Sequence, residues 1–177
     1  MATSLVLTFI GRDRPGLVNA LAAEITAAGG NWLNSRLARL AGEFAGVALV
    51  SVPDARVRDL MRALGDLEAS GLRVTVNASD GAARRPSDTV VTLALVGHDQ
   101  PGIVRDVTEV LLGLGISIEE FASDIESAPF TGEEMFRLTA RLAVPKKVAS
   151  EELRSALERL AGEIMVDVTV EDTREHA

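Results

Sequence analysis

The chain has 177 residues, 47% of them hydrophobic and 25% charged, a composition that suits a folded protein and excludes a disordered one. It has no cysteine, which excludes disulfides, thiol nucleophiles and cysteine-ligated zinc, and its two histidines, His98 and His176, would leave any metal centre to carboxylates. The net charge is −8; residues 1–80 are neutral overall, while residues 89–177 hold eight basic and seventeen acidic side chains, a balance that disfavours direct nucleic-acid binding.

Leu5 to Ile10 reads as a strand ended by Gly11, and Leu17, Val18, Leu21, Ala22 and Ile25 then fall at helical spacing up to Gly29-Gly30. Trp32 to Leu40 and Phe44 to Val52 are strands around an Ala41-Gly42 hairpin turn. Pro53-Asp54 opens a second helix with Val57, Leu60, Met61, Leu64 and Leu67 on one face, which Gly71 ends. Leu72, Val74 and Val76 then alternate with Arg73, Thr75 and Asn77, as in an antiparallel strand with one wet face.

The same order returns: a strand over Thr89–Val96, a helix through Ile103, Val104, Val107 and Leu111, and strands over Ile116–Ile125 and Glu134–Val144. A helix with Leu153, Leu157 and Leu160 follows, then a strand alternating Ile164, Val166, Val168 and Val170. The second hairpin loop, around Ser127–Glu133, is longer than the first. The expected organisation is two units over residues 1–79 and 89–172, a linker over 80–88 and a flexible tail over 173–177. No basic residue precedes Leu5 and no apolar stretch reaches the ~20 residues of a membrane span, so a cytoplasmic protein without membrane contact is expected.

Strand, helix, strand, strand, helix, strand, repeated, predicts an α+β protein of two ferredoxin-like (βαββαβ) units with the first and third strands central. In the first unit those strands are apolar on both faces, through Val6 and Ile10 as well as Leu5, Leu7 and Phe9, and through Val47 and Leu49 as well as Ala48 and Val50. A second sheet face partly covered by other protein is therefore expected.

Gly11-Arg12-Asp13-Arg14-Pro15-Gly16-Leu17-Val18 recurs 86 positions later as Gly97-His98-Asp99-Gln100-Pro101-Gly102-Ile103-Val104. Between strand and helix, the first Gly lets the backbone leave the sheet, Pro suits the first helical turn, and Gly16 or Gly102 leaves room over the exposed amides. Such a helix N-terminus can hold a carboxylate. Asp13 or Asp99 either caps those amides itself or, turned outward, receives an ammonium group. The same residues also suit a purely structural turn. After each helix, Gly29 and Gly115 lead to Asn31 and Ser117, of which the longer amide side chain offers a donor and an acceptor to a zwitterion and makes the first half the better site.

These two segments, with Gly29-Gly30-Asn31 and Gly115-Ile116-Ser117, resemble the ACT domain, and the tandem arrangement resembles the glycine cleavage system transcriptional repressor group. Similar turns occur in the regulatory part of formyltetrahydrofolate deformylase and in uridylyltransferase tails, whose catalytic regions have no counterpart here. The resemblance implies amino-acid binding at domain or subunit interfaces, a homo-oligomer, and regulation exerted through another protein. Carried over by position, the ligand region comprises Gly11, Asp13, Pro15, Gly16 and Asn31, and in the second half Gly97, Asp99, Pro101, Gly102 and Ser117.

Glu120, Asp124 and Glu126 alternate onto one face and could attract a hard cation, but a solvated acidic hairpin explains them, and no metal site is expected. No catalytic triad, P-loop or dinucleotide fingerprint is present, so neither catalysis nor a cofactor is expected. Trp32, next to Asn31, is expected near the ligand region. The expected function is a non-catalytic sensor that binds a small amino acid, glycine or similar, and modulates a regulatory protein partner; a ligand-free interaction module is the alternative.

Overall fold

Period-two burial of Leu5, Leu7 and Phe9 gives way to period-3.6 burial of Leu17, Leu21 and Ile25, and the backbone follows the change. The computed structural model describes residues 1–79, 89–127 and 132–172 and divides into two units, Met1–Ala82 and Ala83–Ala177. The expected linker over 80–88, the tail over 173–177 and residues 128–131 of the second hairpin loop lie outside the described residues.

The first unit runs β1 (Ala2–Arg12), α1 (Leu17–Ala27), β2 (Asn31–Leu40), β3 (Glu43–Pro53), α2 (Val57–Asp66) and β4 (Leu72–Ala78). Its sheet has the order β2-β3-β1-β4 and is antiparallel throughout, the ferredoxin-like arrangement with β1 and β3 central. The second runs β5 (Thr89–His98), α3 (Ile103–Gly113), β6 (Ser117–Ser127), β7 (Glu134–Val144), α4 (Ser150–Ile164) and β8 (Val166–Asp172), in the order β6-β7-β5-β8. Among the described residues no helix is long and apolar enough to cross a membrane.

Each core lies between one sheet face and its helices: Leu7, Val50, Leu21 and Leu64 in the first unit, Leu93, Leu138, Val107 and Leu157 in the second, all fully buried. On the opposite face of the first sheet, Ile10 and Val47 are 46% and 39% exposed. The corresponding face of the second is polar, with Glu126 paired to Arg137 at 3.4 Å and Glu119 to Arg141 at 3.0 Å across strands.

The final helix departs from expectation at one residue. Ile164 belongs to α4, not to the last strand, because it lies four residues from Leu160 and two from Val166 and so fits both periods. Met165, at φ 52°, ends the helix in the left-handed region before β8 begins.

Candidate functional site

The repeated turn has the same geometry in both units. Gly16 has φ 93° and ψ −1°, and Gly102 φ 102° and ψ −11°; after a proline these are the values of a type II turn, which demands glycine at that position. Each glycine is also the helix N-cap. Pro15 and Pro101 therefore precede the helices and are not their first residues, which corrects the sequence expectation.

The first α1 hydrogen bond is Ala20 N–H to Gly16 C=O at 2.9 Å, so the amides of Leu17, Val18 and Asn19 have no intrahelical acceptor, and no side chain caps them. The same holds at α3, where Asp106 N–H donates to Gly102 C=O at 2.9 Å. Asp13 and Asp99 do not plug these N-termini. Both are exposed, and their backbone amides donate across to Gly42 C=O (2.9 Å), in the hairpin turn just before β3, and to Glu134 C=O (3.0 Å), at the start of β7.

Residues between the aspartate and the proline tie each turn down. Arg14 Nη2 donates to Ser70 C=O at 2.9 Å, and Gln100 Nε2 to Ile164 C=O at 2.7 Å. Both acceptors lie where the second helical segment of the unit ends. The sequence reading missed this strap, although the repeat held its signal: a long hydrogen-bonding side chain at the same position twice.

Gly11 and Gly97 have a packing role. Both are buried within their strands, and a Cβ on Gly11 would lie 2.5 Å from Gly71 O of the neighbouring backbone, while one on Gly97 would strike Val166. They bring the strands together behind the turn, and Gly11 also lines a depression of about 550 Å³ with Ile10, Arg12, Glu43, Glu68, Gly71 and Arg73.

The two sites differ in charge and access. A Cβ on Gly16 would meet nothing within 4 Å, whereas one on Gly102 would have Arg105 Nη2 and Asp106 Oδ2 each at 3.7 Å. Arg105 and Asp106 form an ion pair at 2.7 Å, and that carboxylate, by its hydrogen bond and its charge, raises the guanidinium above its ordinary range. The equivalent residues in α1 are Asn19 and Ala20. The first turn lines an open depression of about 230 Å³ with Asp13, Arg14, Gly16, Leu17, Val18, Asn19 and Phe44. Asp13 is held at its mouth by Arg39 Nη1 at 3.4 Å, from the end of β2.

Asn31 and Ser117 are not brought to their turns. Asn31 pairs with Ser51, whereas Gly11 pairs with Phe44, seven residues along β3 or roughly 23 Å away. Ser117 likewise pairs with Ala143, while Gly97 pairs with Phe136. Trp32 shares the far end with Asn31 and packs half-buried against the core, so within one unit it is not beside the turn. Among the described residues no group of three acidic or histidine side chains could hold a metal ion.

Comparison with known proteins adds sequence relatives to this geometry. The ACT domain profile matches residues 3–78 and 89–171. Phosphoserine phosphatase SerB2 of Mycobacterium tuberculosis (strain ATCC 25618 / H37Rv) is 30% identical over 174 residues, which cover 96% of this chain but 41% of the phosphatase. The glycine cleavage system transcriptional repressor of Escherichia coli (strain K12) is 24% identical over 161 residues, covering 90% of this chain and 85% of the repressor. Among solved structures, a protein of unknown function from Galdieria sulphuraria matches with a TM-score of 0.84 at 30% identity, over 98% of this chain and 100% of that one. A structure described as a glycine cleavage system transcriptional repressor matches with a TM-score of 0.72 at 19% identity over 99% of each chain, a likeness of fold.

Proposed function

Because the chain belongs to the ACT domain family over both of its units, we propose that it is a regulatory, non-catalytic protein that binds a small amino acid and through it modulates a partner protein. The observation that carries this reading is the uncapped N-terminus of α1, opening on a depression with Asp13 at its mouth. The ligand's α-carboxylate accepts from the amides of Leu17, Val18 and Asn19, where the helix dipole favours negative charge, and its ammonium group lies against Asp13.

Asn31 and Ser117 join such a site only from a second edge strand, because within a unit they lie at the other end of the sheet. This supports a homo-oligomer with ligands held where edges meet. Ligand binding then favours the assembly that completes the site, and the partner reads that change. The repressor relatives, spanned over most of their length, support a role in the control of glycine cleavage; the acidic balance of the second half argues for exerting it through a protein partner.

Calorimetry of the full chain against the twenty amino acids tests the proposal. The expected result is heat of binding for glycine or serine, lost in Asp13→Ala with the fold intact by circular dichroism. Silence toward all twenty at millimolar concentration refutes it and leaves an interaction module with a structural turn.

A further inference from the structure

The geometry points to the open face of the first sheet, turned away from its helices, as the surface that meets the partner protein, and to a partner segment presenting a carboxylate beside apolar side chains. Register fixes what this face carries, in rows that run β2-β3-β1-β4. One row is Arg36, Val47, Thr8 and Thr75, the next Ala38, Ala45, Ile10 and Arg73, and the last Leu40, Glu43 and Arg12. Ile10, Val47 and Leu40 are exposed, Leu40 by 79%, so apolar surface reaches the end of the sheet where the depression of about 550 Å³ lies.

Arg12 and Arg73 are the anchors. They stand on neighbouring strands, Arg12 two residues beyond the position that pairs with Arg73, a diagonal within reach of long side chains. Among the described residues neither guanidinium donates a hydrogen bond: Arg12 has no ion-pair partner, and Arg73 Nε stands 3.7 Å from Glu68 Oε1, beyond hydrogen-bond range. Their N–H groups suit the planar pair of oxygens of a carboxylate. Glu43, across from Arg12, and Glu68 only accept, so the site also calls for donors. A phosphate ester brings acceptors alone and would meet both glutamates, whereas a peptide brings a side-chain carboxylate together with backbone N–H groups. Every lining residue except Gly11 is exposed, so a free small molecule would stay largely in water. A side chain carried by a segment that also covers Ile10, Val47 and Leu40 would not.

Charge agrees with this occupant. The chain is at −8, yet these rows set Arg12, Arg36 and Arg73 against Glu43, with Glu68 at their border. The second unit is built otherwise: at the positions that register makes equivalent to Ile10, Arg12, Glu43, Gly71 and Arg73 stand Val96, His98, Met135, Met165 and Asp167. Neither arginine is kept, so the shared fold does not demand them. The surface also adjoins the first turn, because Arg14 holds Ser70 C=O at 2.9 Å and the next residue, Gly71, lines the depression. A partner seated there touches the corner that the turn tethers. This docking rests on the partner-protein reading and needs no amino acid.

The test is a magnetic-resonance titration of the isotope-labelled full chain, free of amino acid, with a Gly/Ser-rich peptide carrying one Leu-Ser-Asp-Ser-Leu motif. Extended, that motif puts its leucines and aspartate on one face. Amide shifts should saturate by about 5 mM peptide and centre on residues 10–12, 43–47 and 68–73. The same peptide with asparagine for aspartate should bind roughly tenfold more weakly, as should the parent peptide to Arg12→Gln or Arg73→Gln, whose unchanged shifts elsewhere report an intact fold. No shifts by that concentration, equal binding of the asparagine peptide, or either variant binding like the parent chain overturns the inference. Shifts centred elsewhere overturn this surface and leave a protein partner standing. Free aspartate or inorganic phosphate reproducing the shifts would mean a small-anion site, and dilution alone moving these amides would mean a second copy as occupant; both overturn it. Failure here leaves calorimetric amino-acid binding standing, and silence in calorimetry leaves this docking standing.

Discussion

Replacing Ala20 by aspartate transplants onto α1 the carboxylate that Asp106 supplies at the equivalent place on α3. The variant should be more stable and bind its ligand less well, opposite signs that a merely structural turn cannot produce. On stability, α1 has no acidic residue in its first turn, and a carboxylate there interacts with the helix dipole by about 0.3–1 kcal/mol. For a unit of this size that raises the melting temperature by roughly 1–8 °C. On binding, the new carboxylate would stand about 6 Å from one held by the same amides, repelling it by ~0.7 kcal/mol in a water-like dielectric and ~2.8 kcal/mol at an effective dielectric constant of 20. Affinity should therefore fall roughly 3- to 100-fold, less at high salt. No cation relieves the change, since Asn19 stands where α3 has Arg105. Thermal melts and calorimetry on one preparation decide the matter: a raised melting temperature with unchanged affinity would refute carboxylate binding at this helix.

Two further outcomes follow from the turn itself. Gly16→Ala, at a left-handed φ with open space around it, should cost about 1–2 kcal/mol by chemical denaturation. Gly11→Ala should cost more, although its backbone conformation suits any residue, because the new Cβ would meet Gly71 O at 2.5 Å and the strands must part; equal costs would contradict the packing role. Arg14→Ala releases the strap to Ser70 C=O, and an exposed hydrogen bond of this kind contributes about 0.5–1.5 kcal/mol. Its affinity should fall by more than its stability does, with recovery in Arg14→Gln, which mimics Gln100; no recovery would count against the strap.

The layers, strand order and central strands were legible because alternation and helical spacing each point one way over Leu5–Phe9, Leu17–Ile25 and their repeats. Ile164 satisfied both periods, so pattern alone could not place it. The turn's type was also readable: Pro followed by Gly is the type II signature, and it outranks the reading of Pro as a first helical residue. Placing Asn31 and Trp32 beside the turn failed for a topological reason. Eleven residues of α1 carry the chain about 16 Å, back to the opposite end of the sheet, before β2 begins. Which groups surround each turn depends on side chains far apart in sequence, Arg39 with Asp13 and Arg14 with Ser70, and no local pattern announces them.

The duplication that made the two turns alike in backbone has left them unlike in the charges beside them, and on the amino-acid proposal this sets the number of ligands per chain. Beside the second turn, Arg105 Nη2 and Asp106 Oδ2 come to 3.7 Å from where a Cβ on Gly102 would lie, so a carboxylate approaching the amides of Ile103 and Val104 would meet this ion pair at close range. The pair is nearly neutral as a unit, so it screens the helix dipole and fills space without presenting a net attraction. Asn31, arriving from another edge, adds a neutral hydrogen bond of about 0.5–1.5 kcal/mol, which does not clear that space. Titration should therefore give one ligand per chain, bound at the first turn and abolished by Asp13→Ala. Asp106→Ala removes the carboxylate that fixes Arg105 and frees both the amides and a cation beside them, so the stoichiometry should rise toward two. Two equal sites in the parent chain, or one site in Asp106→Ala with Asp99→Ala silent, would show that this ion pair does not govern access.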